Sequence, residues 1–228
     1  MKIIQNERGF TLAELMVATM ITTVILGGAV MLTSQVQQGF RRQIEDSAAE
    51  QEGRYALDWI SRTIRAAGSN SFNLPPDTPL DATDDTSECP EADPAEYKWV
   101  IFDPNANGEN DDIRVQTDSN PPDGLLGGVT GACDQKLEDV TVSFDPDTNS
   151  ITFLDNNIGG AAAVRTDAVI DNLTFTFLKA DKTAAATPAQ VVYVLITVTV
   201  RTRTVEAATM LPRTRTLTQE VRIRGRGF

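Results

Sequence analysis

The 228-residue chain contains no histidine. That absence removes His-ligated zinc, the Ser-His-Asp triad and Cys-His catalysis together. The sequence also lacks a phosphate-cradling glycine loop, a nucleophile elbow, an internal repeat and any defensible spacing of paired catalytic carboxylates. Carboxylates are plentiful, but abundance in acidic loops does not make a catalytic pair, and the chain reads as a non-enzyme. Positive charge is in deficit, with 20 Lys and Arg against 32 Asp and Glu and a formal net charge of -12. A broad basic surface for nucleic acid is therefore absent, and only a local basic patch remains to be considered. Cysteine is limited to Cys89 and Cys133. Proline is missing from Thr33 to Ala67, which leaves a helix free to run through that stretch.

What is present is concentrated at the N-terminus. A polar leader, Met1 to Gly9, meets a 23-residue apolar run, Phe10 to Leu32, interrupted by a single charge, Glu14. At about 1.5 Å per helical residue such a run reaches roughly 35 Å, against a bilayer hydrocarbon core of about 30 Å. Lys2 and Arg8 precede it, so the N-terminus is expected on the cytoplasmic side. An ordinary secretory signal would have a shorter apolar core followed directly by a small-residue cleavage site. Here Gly27-Gly28-Ala29 is followed by more apolar residues. A carboxylate inside a membrane helix costs about 2.5–3.5 kcal/mol on insertion scales and usually marks function. If the chain is cut between Gly9 and Phe10, the new α-amine lies in the same apolar layer as Glu14 of a neighbouring subunit. Pairing would offset the desolvation cost of both charges. The bland reading of Glu14 is a carboxylate held hydrated or protonated near the interface.

The stretch Gly9-Phe10-Thr11-Leu12-Ala13-Glu14-Leu15 resembles the class III signal of type IV pilins and type II secretion pseudopilins. The resemblance implies that a prepilin peptidase cuts after Gly9 and methylates the Phe10 amine, and that Glu14 aids docking into a helical filament. It implies a single-pass inner-membrane protein, later moved into a filament in the periplasm or at the cell surface. It also implies three sets of partners: other major and minor pilins, the peptidase, and an inner-membrane assembly platform. Removal of the leader leaves 18 basic against 31 acidic residues, a mature charge of about -13.

Beyond the membrane run, apolar residues recur at helical spacing: Val36, Phe40, Ile44 and Ala48, then Tyr55, Ala56, Trp59, Ile60 and Ile64. Gly39 and Gly53 are candidate bends, and Gly68 suits the position after a helix end. One helix of about 55 residues is predicted. Its segment Arg54 to Gly68 also resembles the corresponding part of PilW-type minor pilins. A loop region rich in Pro, Asp and Ser follows, from Ser69 to Tyr97. Strands are then predicted at Lys98–Phe102, Asp112–Gln116, Asp139–Phe144, Ser150–Leu154, Leu173–Leu178, Val191–Thr202 and Thr216–Arg224. Val191–Val200 reads as a central strand, Thr216–Arg224 as an edge strand, and Thr183–Gln190 as a loop. The fold class is therefore α+β: a long N-terminal helix on an antiparallel β-sheet head. The pilin resemblance implies the same layout. The expected divisions are leader 1–9, membrane and filament-core helix half 10–33, amphipathic helix half 34–68 and β-rich head 69–228.

Three features of the head invite chemistry. Cys89 and Cys133 lie beyond the membrane, where an oxidising compartment favours their pairing. The bridge would close a loop of about 45 residues and contribute on the order of 4 kcal/mol. Opposite charges are segregated. Asp77 to Asp112 holds 12 acidic residues and one basic, Lys98, whereas Arg201 to Phe228 holds seven Arg against Glu206 and Glu220. The two blocks could face each other, face filament neighbours, or be solvated surface. Finally, Asp103, Asn105, Asn107 and Gly108 stand as in the start of a calcium loop. The twelfth position is Arg114, and strands rather than helices flank the loop, so an EF-hand is excluded. A different calcium site from Asp103, Asn105, Asn107 and Asp111 or Asp112 competes with an Asx-rich turn. No cofactor is required, and Ca²⁺ is the only candidate. Asp145 to Asn149 has similar residues but reads as a hairpin turn. Tyr97 and Trp99 read as packing residues rather than contact residues.

These expectations define a structural subunit, a minor type IV pilin that primes or caps a filament. A minor pseudopilin similar to the J subunit of type II secretion shares the signal, helix and sheet. A third reading is a DNA-binding or adhesive pilin using the Arg-rich C-terminal stretch from Arg213 to Arg226.

Overall fold

The computed structural model describes residues 10–69, 78–79, 96–118, 137–156, 160–205 and 210–224. One helix, α1, spans Leu12–Ala66 and is 55 residues long. By contact pattern the chain divides into two units, Met1–Glu45 and Asp46–Phe228.

In the first unit every described residue from Phe10 to Ile44 is exposed, including Leu15, Met20, Ile25, Val30 and Phe40. By length and composition this part of α1 is apolar enough to cross a membrane. Its hydroxyls are satisfied inside the helix. Thr19 donates to Met16 O at 2.9 Å, Thr22 to Ala18 O at 2.7 Å, Thr23 to Thr19 O at 2.8 Å and Thr33 to Ala29 O at 2.8 Å. Back-bonding of this kind lets Thr enter an apolar environment without an orphan donor.

In the second unit α1 becomes one-sided. Ala49, Gly53, Ala56, Leu57, Ile60 and Ile64 are buried and recur at helical spacing. Val36, Phe40, Ile44 and Ala48, which continue the same apolar recurrence upstream, are exposed, so the buried stripe begins at Ala49. The helix ends where expected. Gly68 takes φ +70°, Ser69 N bonds to Ala66 O at 2.9 Å, and Gly68 N donates to Gln116 O at 3.0 Å.

The strands are β1 (Thr78–Pro79), β2 (Glu96–Tyr97), β3 (Val100–Phe102), β4 (Asp112–Gln116), β5 (Asp139–Asp145), β6 (Ser150–Asp155), β7 (Ala163–Val164), β8 (Ile170–Leu178), β9 (Tyr193–Val205) and β10 (Pro212–Arg222). They form a two-stranded ribbon β1-β2, a five-stranded sheet β3-β4-β5-β6-β7 and a three-stranded sheet β10-β9-β8, all antiparallel. The predicted central strand is β9 and the predicted edge strand is β10. Two expectations are corrected. The stretch Ser69–Tyr97 is not all loop, since Thr78–Pro79 pairs with Glu96–Tyr97. The head also contains two principal sheets where one was expected.

Strand alternation builds the core. In the larger sheet Phe102, Ile113, Val142 and Phe153 stand in cross-strand register, as do Val100, Val115 and Val140. In the smaller sheet Phe177, Val194 and Val221 align, with Phe175 against Ile196 and Leu173 against Val198. Phe102 of β3 stacks on Phe177 of β8 at 3.8 Å between centroids, joining the two sheets. The second-unit part of α1 touches both. Trp59 meets Phe153 edge-on at 5.5 Å, and a Cβ on Gly53 would come within 2.8 Å of Leu217 and Val200. Trp99 is buried, as a packing residue should be.

Candidate functional site

The N-terminal determinants begin with Thr11. It stands just before α1, and three residues later comes Glu14, the spacing of a capping box. The structure forms that box. Thr11 N donates to Glu14 Oε2 at 2.9 Å, Glu14 N donates to Thr11 Oγ1 at 3.2 Å, and the Thr11 hydroxyl donates to Glu14 Oε2 at 2.9 Å. Glu14 thus satisfies its own helix terminus, and its carboxylate lies one residue from Phe10. The sequence signal for this is Thr-x-x-Glu at the opening of an apolar run, a pattern the charge of Glu14 alone does not express. Gly9 lies outside the described residues, as do Cys89 and Cys133.

The acidic β3–β4 loop folds tightly. Asp103 and Ala106 adopt φ 43° and 57°, and Gly108 φ 85°. Asp103 accepts Asn107 N at 2.9 Å through Oδ1 and Gly108 N at 2.8 Å through Oδ2. Asn105 Oδ1 also accepts Asn107 N, at 2.9 Å, and Asn107 Oδ1 accepts Glu109 N at 2.7 Å. Asn107 Nδ2 reaches Asp111 Oδ1 at 3.3 Å. Asp112 is 1% exposed; Oδ2 accepts Asn105 N at 3.2 Å, while Oδ1 is buried without a hydrogen-bond partner. Burial pushes the Asp112 carboxyl up to about 6, and the neighbouring Asp111 and Asp103 charges add to the rise. Asp103, Asn105, Asn107 and Asp111 therefore sit in the β3–β4 loop, and Asp112 opens β4 directly after it. Among the described residues no three Asp, Glu, His or Cys side chains converge as a ready-made metal cluster.

Arg114, the residue that breaks the EF-hand pattern, turns away to Asp139. Its Nε donates to Asp139 Oδ1 at 2.6 Å and its Nη2 to Oδ2. Gln116 Nε2 and Asn156 Nδ2 also donate to the Asp139 carboxylate, at 3.1 and 2.9 Å. In the Asp145–Asn149 turn, Asp145 accepts Asp147 N at 2.9 Å and the Thr148 hydroxyl at 2.7 Å, and Asn149 takes φ 53°. That is a hairpin turn between β5 and β6, as expected.

Among the described residues, the Arg-rich end pairs with acids on α1 and around β8. Arg213 pairs with Asp46 at 3.3 Å and Arg215 with Glu50, both acids on α1. Arg203 pairs with Asp167 at 2.8 Å, and Arg201 lies 3.8 Å from Asp171. A groove lined by Asp46, Ala49, Val200, Thr202, Arg213 and Arg215 runs along this seam. Its two guanidiniums are already balanced by carboxylates, which leaves little uncompensated positive charge for a polyanion.

Comparison with known proteins locates one resemblance. Residues 4–30 match the family described as the prokaryotic N-terminal methylation motif. No curated protein and no solved structure matches the chain.

Proposed function

We propose that the chain is a minor type IV pilin, a structural subunit that primes or caps a filament after prepilin peptidase processing. The observation that carries this reading is the methylation motif over residues 4–30, placed at the start of a 55-residue helix whose apolar first part is wholly exposed. A helix with bare apolar flanks is stable in lipid or in a bundle of like helices, and transfer between the two is what filament assembly requires. The capping box supports a role for Glu14 beyond docking. It keeps the first turn of α1 closed and holds the Glu14 carboxylate against the amide of Thr11, the residue that follows Phe10 in the chain.

Mass spectrometry of the mature protein from its native host tests the reading. The expected chain begins at Phe10 and is heavier by one methyl group. An intact leader, or cleavage after the apolar run, would leave a plain membrane anchor or a secreted protein. Deletion of the gene then separates pilin from pseudopilin: loss of surface filaments supports the pilin, whereas loss of protein secretion with filaments intact supports the pseudopilin.

A further inference from the structure

We propose that the β3–β4 loop, Asp103 to Asp112, is a calcium site, with Asp112 as its buried carboxylate and Asp103, Asn105, Asn107 and Asp111 supplying further oxygens.

The first argument is charge. Asp103, Glu109, Asp111 and Asp112 place four carboxylates in ten residues without one Lys or Arg among them. Among the described residues none of the four forms an ion pair, although the Arg-rich strands pair with other acids of the same head. Like charges packed this closely oppose the fold that brings them together.

The second argument is Asp112 itself. Its Oδ1 is buried and has no hydrogen-bond donor, while its Oδ2 accepts Asn105 N and so aims the carboxylate at the loop. Buried polar atoms are almost always satisfied, and a lone buried carboxylate oxygen is costly. An Asx-rich turn explains the bonds of Asp103, Asn105 and Asn107, but it gives no reason to bury Asp112 beside two other acids. A cation does.

The donor set selects the ion. It is all oxygen and mixes carboxylates with amides. These are the preferences of Ca²⁺ rather than of Zn²⁺, which takes nitrogen and sulfur, or of Mg²⁺, which demands near-ideal octahedral geometry. Among the described residues the carboxylates do not stand as a converged cluster of three, so binding would be coupled to a small closure of the loop. The weakest bond in the way is the 3.3 Å contact of Asn107 Nδ2 with Asp111 Oδ1.

The closure would act on both sheets. Asn110 O accepts Phe175 N of β8 at 2.7 Å, and Asp111 O accepts Phe144 N of β5 at 3.1 Å. An ion held by the flanking side chains fixes these two carbonyls, and thereby clamps the β3–β4 hairpin across to the smaller sheet.

The test uses the full chain in detergent micelles, stripped with chelator and titrated with CaCl₂ by calorimetry, with MgCl₂ in parallel. One Ca²⁺ per chain is expected, with Kd on the order of 10⁻⁴ to 10⁻³ M or tighter, and Mg²⁺ at least about tenfold weaker. Asp103→Asn and Asp112→Asn should each weaken Ca²⁺ by about tenfold or more, because ligand charge sets affinity. Asp147→Asn, in the β5–β6 turn, should leave it unchanged. Hydrogen exchange of the Phe175 amide should slow when Ca²⁺ is added. Absence of saturable binding up to about 10 mM Ca²⁺ overturns the proposal. So does binding that survives both loop substitutions, or binding that leaves Phe175 exchange unaltered. The unsubstituted titration and the exchange measurement stand even if a loop variant misfolds.

Discussion

Gly68 and Trp99 meet where α1 ends, and neither can be exchanged cheaply. Gly68 holds φ +70°, and a Cβ there would lie 2.4 Å from the Trp99 indole. Gly68→Ala therefore combines left-handed backbone strain of about 1–2 kcal/mol with overpacking of about 1–3 kcal/mol. A loss of about 2–4 kcal/mol is expected in thermal unfolding followed by tryptophan fluorescence. An unchanged midpoint would mean that the indole can move aside. The position of Gly68 was legible in the sequence, because a glycine after a long apolar periodicity is a helix stop signal. Its partner was not, since nothing local connects Trp99 to a residue 31 positions earlier. Glu14 shows the reverse case. The Thr11 spacing that explains its contacts is as visible in the sequence as its charge.

Elements were legible where one period dominated. β4 begins and ends as predicted, and β5, β6 and β9 differ at their ends, because alternation and turn residues mark such strands clearly. β1, β2 and β7 have two residues each, too few to show any period, and they exist through their partners. Sheet membership was equally invisible, since alternation says which face is buried but not which strand lies alongside. Within β4 the apolar alternation also hid the role of Arg114, whose partner Asp139 is nearly buried in β5. Arg114→Leu removes a counter-charge that holds both carboxylate oxygens, while the Gln116 and Asn156 donors stay in place. A destabilisation of about 3 kcal/mol is expected, at the low end for a broken buried pair because two donors remain. Chemical denaturation of the variant checks it; a loss below about 0.5 kcal/mol would place the pair among ordinary surface contacts.

For the whole molecule, acidity sets a pH profile. Asp112 has a folded value of about 6 against 3.8 ordinarily, so between those values the native state binds a proton that the unfolded chain does not. Its ionisation thus subtracts stability as pH rises from about 3.8 to about 6, and lowering the pH from 7 to 5 recovers part of it. Asp145 and Asp181 are held low, chiefly by the Thr148 and Thr183 hydroxyls, and Glu50 by Arg54. Their stabilisation is lost only in more acid solution, as pH falls through their lowered values. In chelator, melting midpoints should therefore rise from pH 7 to pH 5, and Asp112→Asn should flatten that rise. Equal slopes for the two proteins would assign the effect to other groups. The charge imbalance was plain in the sequence, but its pairing was not, because Arg213 and Arg215 find their acids more than 160 residues away, on α1.

The two sides of the smaller sheet are also unequal. Along β8 the Ile170 amide bonds to Asn149 O at 3.0 Å, the Phe175 amide to Asn110 O, and the Phe177 carbonyl accepts Ala185 N at 2.9 Å. Three separate turns thus occupy the backbone ladder on that flank. On the other flank, among the described residues, β10 pairs with β9 alone. On its β8 side the sheet is therefore closed by the head's own turns, and a further strand could pair there only by displacing all three.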